Sequence, residues 1–101
     1  MAFKATSRGR VGVRLTEERW LHIVEEHSEL AGMLESVLDA IENADNVFEG
    51  NAGELLASRR LSDGKIMVVV YRETSQTDGL VITAFLTRRT TYLSRRRRLW
   101  P

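Results

Sequence analysis

The chain has 101 residues, of which 43% are hydrophobic and none is cysteine. This length suits one small domain with one core, and the lack of cysteine excludes disulfides, thiolate nucleophiles and zinc-thiolate sites. The longest strongly apolar run, residues 66–71, is far shorter than the roughly 20 residues that span a bilayer. We therefore expect one cytoplasmic domain over 1–101 with no membrane partner. Its core is expected at about 15–93, with residues 1–12 and 94–101 loosely organised.

The net charge of +1 hides an uneven distribution of charge along the chain. Residues 1–50 contain 5 Lys/Arg and 10 Asp/Glu, a net charge of −5, whereas residues 51–101 contain 10 and 4, a net charge of +6. A concentrated positive potential attracts polyanions whatever the total charge. The basic half therefore indicates a phosphate-bearing or acidic partner, although the arginine run at 95–98 is also typical of a solvated tail.

Two helices are predicted in the first half of the chain. Thr16 is a suitable N-cap, and Glu17 and Glu18 suit the positive end of a helix dipole, so one helix is expected over 17–26. A second amphipathic pattern predicts a helix over 31–42.

The only two histidines of the chain lie on the first predicted helix or at its end. His27 shares an apolar stripe with residues spaced i, i+3 and i+4, whereas His22 lies about 100° or more away, among glutamates. Two histidines five residues apart do not face each other as an i, i+4 pair would, and no further ligand stands at a recognisable spacing. We therefore predict no metal site and no cofactor.

After residue 46 the hydrophobic period changes from 3.6 to 2, which predicts four strands. The pair Asp63-Gly64 predicts a two-residue type I′ hairpin, in which Arg60 lies opposite Met67. The expected fold is α+β, with two N-terminal helices packed on one face of a four-stranded, or five-stranded, antiparallel sheet.

The hairpin register also sorts the strand residues between two faces of the predicted sheet. The face beneath the helices is expected to bury Val68, Val70, Ile82 and Leu86. The open face is expected to carry Arg60, Tyr71, Thr83 and Thr87.

Acid–base chemistry without a metal is the reaction type that the residue inventory allows. A nucleophilic triad is poorly supported, because no G-x-S-x-G elbow occurs. Cleavage of RNA by its own 2′-OH needs a base, an acid and cations around the phosphoryl oxygens, and His, Arg, Tyr and Thr can fill these roles. Purely structural roles are equally compatible with the same residues: a hydrogen-bonded boundary histidine, a solvated histidine, strand-forming threonines, and arginines paired with helix carboxylates.

A resemblance to a known family adds to this reading. The segments ERWLHIVEEHSEL, IENADNVFEG, ASRRL, MVVVYRE, VITAFLTRR and LW occur in an order that resembles the phage-associated branch of the barnase/EndoU/colicin/RelE-like nuclease superfamily. The resemblance covers roughly residues 15–100. His22-Ile23 and Thr83-Ala84-Phe85 match the His-Ile pair and the Thr-Ala-aromatic strand of the family pattern. At His27-Ser28-Glu29, serine replaces the proline of the family's His-Pro-Glu.

The resemblance implies a RelE-like fold and a metal-independent endoribonuclease of toxin or phage-accessory type. Its partners would be RNA and an inhibitor protein of antitoxin or immunity type. Carried over residue by residue, the catalytic positions are His22, His27, Arg60, Thr83 and Thr87. Substrate contacts are predicted at Arg59, Lys65, Tyr71 and Arg88.

Two other functions are compatible with the same pattern. The domain could be a non-catalytic module that binds RNA or protein through its basic face. It could also be a small interaction subunit that dimerises through the uncovered sheet face or an edge strand.

Overall fold

The computed structural model describes residues 2–101. In chain order these residues form β1 (Ala2–Thr6), β2 (Gly12–Thr16), α1 (Glu17–Glu26), a 3-10 turn (Ser28–Leu30), α2 (Leu34–Glu42), β3 (Asn46–Glu49), β4 (Leu55–Arg60), β5 (Ile66–Glu73), β6 (Asp78–Thr87), α3 (Thr91–Ser94) and β7 (Arg98–Trp100). Within 2–101, no helix is both long and apolar enough to cross a membrane.

The seven strands formed by residues 2–101 belong to one mixed sheet with the order β1-β2-β6-β5-β4-β3-β7. Neighbouring strands are antiparallel except β2 and β6, which pair in parallel over three residues. The expected architecture, two helices on a four- or five-stranded antiparallel sheet, is therefore wrong. The four predicted strands correspond to β3 to β6, and the prediction missed β1, β2, β7 and α3.

The first helix begins where its capping residue indicates. Oγ1 of Thr16 accepts a hydrogen bond from the backbone N–H of Arg19 at 3.0 Å, which satisfies one of the free amide groups of a helix start. Glu17 and Glu18 occupy the first turn, where the helix dipole favours negative charge. α2 begins three residues later than expected, because the 3-10 turn and Gly32, with a φ of +79°, separate the two helices.

The sheet curls around α2, which contacts β1, β4 and β5. The buried side chains of α2 pack in one core with residues from both halves of the sheet, among them Ala5, Val13, Leu15, Val47, Ala57 and Val69. The two ends of the sheet meet where Cζ of Arg8, in the turn after β1, lies 4.2 Å from the centroid of the Trp100 ring in β7. Nε of Arg8 also donates a hydrogen bond to the carbonyl oxygen of Ala44 at 3.2 Å. Arg8 therefore joins the ends of the curled sheet.

The hairpin between β4 and β5 has a three-residue loop, not the expected two-residue turn. The backbone N–H of Leu61 donates to the carbonyl oxygen of Lys65 at 2.8 Å, and the N–H of Gly64 donates to that of Leu61 at 3.0 Å. Gly64 has a φ of +88°, as the last position of such a loop requires. The pairing consequently shifts by one residue, and Arg60 lies opposite Ile66 instead of Met67.

A shift of one residue moves every side chain of β5 to the opposite face of the sheet. Tyr71 is buried against the helices with Met67 and Val69, whereas Val68 and Val70 lie on the other side. The expected positions of Tyr71, Val68 and Val70 are therefore wrong. Leu86 lies on the helix face as expected, and Ile82 falls at a β-bulge, where Val70 pairs with Thr83 and Tyr71 pairs with Val81.

The second face of the sheet is covered at its centre, contrary to the expectation of an open face. Leu93 of α3 packs there on side chains of β3, β4 and β5, forming a second small core with Phe48, Leu56, Ile66 and Val68. The register shift explains this cover, because it places apolar residues of β5 on a face that must then be shielded from water. Residues 94–101, expected to be loosely organised, include β7, which pairs with β3.

Candidate functional site

The ring of His27 lies at the edge of the sheet. β2 pairs with β6 only as far as Leu80, and α1 contacts β6. His27, at the end of α1, places its ring centroid 6.3 Å from that of Phe85, whose side chain belongs to the second face. The His27 side chain is 33% exposed, and its Nδ1 lies 4.0 Å from Oε2 of Glu29. An accessible imidazole therefore reaches round the sheet edge to the face opposite α2.

A small cleft of about 300 Å³, which we call the edge cleft, has in its lining the carboxylate that approaches His27. It is lined by Glu29, Lys65, Leu86, Thr87 and Arg88. Glu29, which approaches His27, and Thr87, two residues beyond Phe85 on the same face of β6, connect the cleft to the imidazole.

Thr87 has a hydroxyl proton to donate in the edge cleft. Its Oγ1 accepts a hydrogen bond from the backbone N–H of Arg89 at 3.0 Å. Because a hydroxyl has one donor and two acceptor positions, the proton of Thr87 can be directed to another oxygen, such as one on a phosphate.

The hairpin loop positions the two cations of the edge cleft. Nη1 of Arg88 donates to the carbonyl oxygen of Asp63 at 3.4 Å, while Oδ1 of Asp63 accepts from the backbone N–H of Lys65 at 2.9 Å. Among residues 2–101, neither cation forms an ion pair with a carboxylate. Their charges are therefore available to an anion in the cleft.

Thr87 also lines a larger groove of about 730 Å³, which we call the arginine groove. Its lining residues are Asn51, Phe85, Thr87, Arg89, Thr91, Tyr92, Arg95 and Arg96. Tyr92 meets Phe85 edge to face, with ring centroids 6.5 Å apart and planes at 74°. Cζ of Arg96 lies 4.7 Å from the centroid of Tyr92. The groove thus combines three cations with two aromatic rings.

Neither His22 nor Arg59, both predicted site residues, lines the edge cleft. His22 is on an exposed side of α1, where its Nε2 lies 3.0 Å from Oε1 of Glu26. Arg59 is on the helix face of β4, and its guanidinium contacts Asp39 at 3.3 Å and Asp45 at 3.4 Å. The structure gives Arg59 a role in holding α2 and the following loop to the sheet.

Tyr71, predicted to contact substrate, is buried in the core, with 1% of its surface exposed. Burial raises the pKa of Tyr71 to about 12. The neighbouring Glu73 carboxylate acts in the same direction, and a hydrogen bond with Ser7 opposes the rise. The phenol is therefore a neutral core group and is not accessible to a ligand on the second face.

Arg60, Thr83 and Thr87 share the second face, as the sequence predicted. Thr83 and Thr87 flank Phe85 at alternate positions of β6. Arg60 pairs with Ile66, which pairs with Thr87, so two strand spacings of about 5 Å each separate Arg60 from Thr87. The exposed Arg60 side chain extends the positive surface beyond the edge cleft.

The sequence analysis assigned no role to Glu29 and did not predict the arginine groove. Glu29 and Phe85 were recognised only as members of two family motifs. The signal for the groove was the excess of cations after residue 50, since Arg89, Arg95 and Arg96 all belong to that basic half. No sequence pattern indicated that α3 would turn the arginine run back onto the sheet.

Within 2–101, no group of three or more His, Asp or Glu side chains is placed to hold a metal ion together. Comparison of the chain with profiles of known protein families, with curated proteins and with solved structures gave no significant match.

Proposed function

We propose that this chain is a metal-independent endoribonuclease that cleaves RNA at the edge cleft. The observation that carries the proposal is the approach of His27 to Phe85 and to Glu29, because Glu29 lines the edge cleft together with Thr87 and two cations. Proton transfer and charge stabilisation at one phosphate-sized cleft are the requirements of RNA cleavage by the 2′-OH.

The proposed reaction follows from the properties of these side chains. His27 accepts the proton of the 2′-OH, whose oxygen forms a bond to the adjacent phosphorus while the bond from phosphorus to the 5′-oxygen breaks. The leaving 5′-oxygen takes a proton from water, and the hydroxide that this leaves takes the proton held by His27. The product carries a 2′,3′-cyclic phosphate. The guanidinium of Arg88, the ammonium of Lys65 and the hydroxyl of Thr87 stabilise the negative charge on the phosphoryl oxygens.

The decisive test compares two histidine variants on labelled RNA in EDTA. His27→Ala should lower cleavage by about 10² to 10⁴, the usual contribution of a general base. His22→Ala is the matched control and should leave cleavage unchanged, because His22 lies on the exposed side of α1. Analysis of the product ends should find 2′,3′-cyclic phosphate. Failure of the folded wild-type protein to cut a mixed RNA pool would overturn the proposal.

A second candidate function is RNA binding without cleavage, which the arginine groove favours by itself. Salt-sensitive RNA binding by a wild-type protein that leaves the RNA intact would identify this function.

An endoribonuclease of this kind would act on cytoplasmic RNA, and an inhibitor protein would protect the host cell. Within residues 2–101 Lys65 and Arg88 form no ion pair with a carboxylate, so they suit an inhibitor that presents carboxylates to the edge cleft.

A further inference from the structure

We infer that the arginine groove is a recognition subsite for one unpaired nucleotide of the RNA, whose base stacks on Tyr92 and whose phosphate is held by Arg95 and Arg96. The inference rests on the proposed RNA substrate, but it concerns binding beside the cleavage position, not cleavage itself.

The charge of the groove is the first step of the argument. Its lining contains Arg89, Arg95 and Arg96 and no Asp or Glu. Nη1 of Arg96 donates to the carbonyl oxygen of Glu49 at 3.3 Å and to Oδ1 of Asn51 at 3.1 Å. These acceptors are neutral, so within residues 2–101 no carboxylate balances the charge of Arg96. The groove therefore attracts an anion.

The second step is the fixed geometry of Arg96 and Tyr92. Nη2 of Arg96 donates to the Tyr92 hydroxyl at 2.9 Å, and its guanidinium stacks over the Tyr92 ring. The Nε of Arg96 is buried without a hydrogen-bond partner among the described residues. A guanidinium held by three acceptors and one ring keeps its position when a ligand arrives, so little side-chain entropy is lost on binding.

The third step is the exposed aromatic surface. Tyr92 is 46% exposed although Arg96 and Phe85 both approach its ring. A flat aromatic surface next to cations is the usual platform for single-stranded nucleic acid, because a base stacks on the ring while its phosphate meets the cation. A base inside a duplex has both faces stacked and cannot use such a platform, so the ligand is an unpaired nucleotide.

The fourth step is the connection between the groove and the edge cleft. Thr87 lines both, so an RNA strand with its scissile phosphate in the edge cleft places a neighbouring nucleotide in the groove. Asn51 adds selectivity, because its Oδ1 accepts from Arg96 and its amide nitrogen remains a donor for a base edge.

The test measures binding of a fluorescent single-stranded RNA in which every 2′-OH is methylated, so that cleavage cannot occur. Tyr92→Leu, which keeps an apolar side chain but removes the ring, should weaken binding about 5- to 150-fold, the usual effect of losing one stacked base. Tyr92→Trp should restore affinity. Arg19→Ala, which removes an exposed arginine of α1, is the control and should change affinity less than twofold.

The outcomes separate this inference from the proposed function. Weaker binding by Tyr92→Leu supports the subsite even if the wild-type protein cuts no RNA. Equal affinity of Tyr92→Leu and wild type overturns the subsite, even if His27-dependent cleavage is present. Equal loss of affinity for single-stranded and duplex RNA in Tyr92→Leu also overturns it, because a duplex offers no free base to stack. Thermal unfolding of each variant checks that the fold is intact.

Discussion

His27 and Phe85 approach each other at the edge of the sheet, with ring centroids 6.3 Å apart and ring planes inclined by 37°. They come from different layers: His27 ends the helix that packs on one face of the sheet, and Phe85 belongs to the other face. The contact is possible because β2 pairs only with the start of β6, so the end of β6 has β5 on one side and α1 can lie at the other. Phe85 therefore limits the orientations available to the proposed base.

The first prediction is that Phe85→Leu lowers RNA cleavage about tenfold or more, mainly in kcat, because misplacement of a reacting group by about 1 Å is costly. Stability should fall by less than about 1.5 kcal/mol, since the apolar volume is nearly conserved. Phe3→Leu, the same change at a half-buried position of β1, is the control. Equal kcat values for Phe85→Leu and Phe3→Leu would show that Phe85 has no role in orienting His27.

The second prediction separates the two neighbouring arginines. Arg59→Ala should lower the free energy of unfolding by about 1 to 2 kcal/mol, because it removes two ion pairs and the hydrogen bond from Nη1 to the carbonyl oxygen of Asn43. Arg60→Ala should change stability by less than about 0.5 kcal/mol but reduce the salt dependence of RNA binding. Urea unfolding and binding titrations measure both effects, and a reversed pattern would contradict the face assignment.

The third prediction concerns Tyr71 at alkaline pH. The folded protein keeps the phenol protonated up to about pH 12, whereas an unfolded chain loses this proton near pH 10. The folded state therefore binds more protons in this window, and stability should fall as pH rises above 10. The Tyr71→Phe variant has no phenol to titrate, so its free energy of unfolding should fall less above about pH 10. Urea unfolding of both proteins between pH 8 and 11.5 makes the comparison, and parallel curves would refute the prediction.

The fourth prediction concerns the parallel contact of β2 and β6. Arg14 donates from Nε and Nη2 to the two carboxylate oxygens of Asp78, each at 2.9 Å. The Arg14 hydrogen bond is the main cause that lowers the pKa of Asp78. The stabilisation from this ion pair is therefore fully present at pH values above the pKa of Asp78 in the unfolded chain. It is lost as pH falls through the lowered pKa of Asp78 in the folded protein.

Asp78→Asn should accordingly reduce the melting temperature near pH 7 and flatten its decline in acid. Glu25→Gln, which removes an exposed carboxylate of α1, is the control and should not flatten that decline. If the melting temperatures of wild type and Asp78→Asn decline identically in acid, the Arg14–Asp78 pair contributes nothing to stability.

Short sequence patterns predicted the elements that depend only on neighbouring residues in the chain. Thr16 and the two glutamates after it located the start of α1, and the period of two found β3 to β6. The same period is present at Val11, Val13 and Leu15, which are all buried. No strand was predicted there, although β2 forms over Gly12–Thr16.

The candidate site depended on relationships that no short segment contains. An Asp-Gly pair suits both a two-residue turn and the end of a three-residue loop. The three-residue loop places Ile66 and Val68 on the second face of the sheet, where Leu93 covers them. The place of His27 depends on the difference in length between β2 and β6. The parallel pairing itself joins segments that begin at Gly12 and Asp78, far apart in the chain.

The contact of Arg8 with Trp100 has a consequence for the order of events during synthesis. The two residues are separated by nearly the whole described chain, so the ends of the curled sheet can join only after the ribosome has made β7. The residues of α3 and the arginine run are made just before β7. A nascent chain therefore lacks the arginine groove until these residues have left the ribosome, and on the proposed function an earlier ribosome-bound intermediate would bind the messenger RNA that encodes it only weakly.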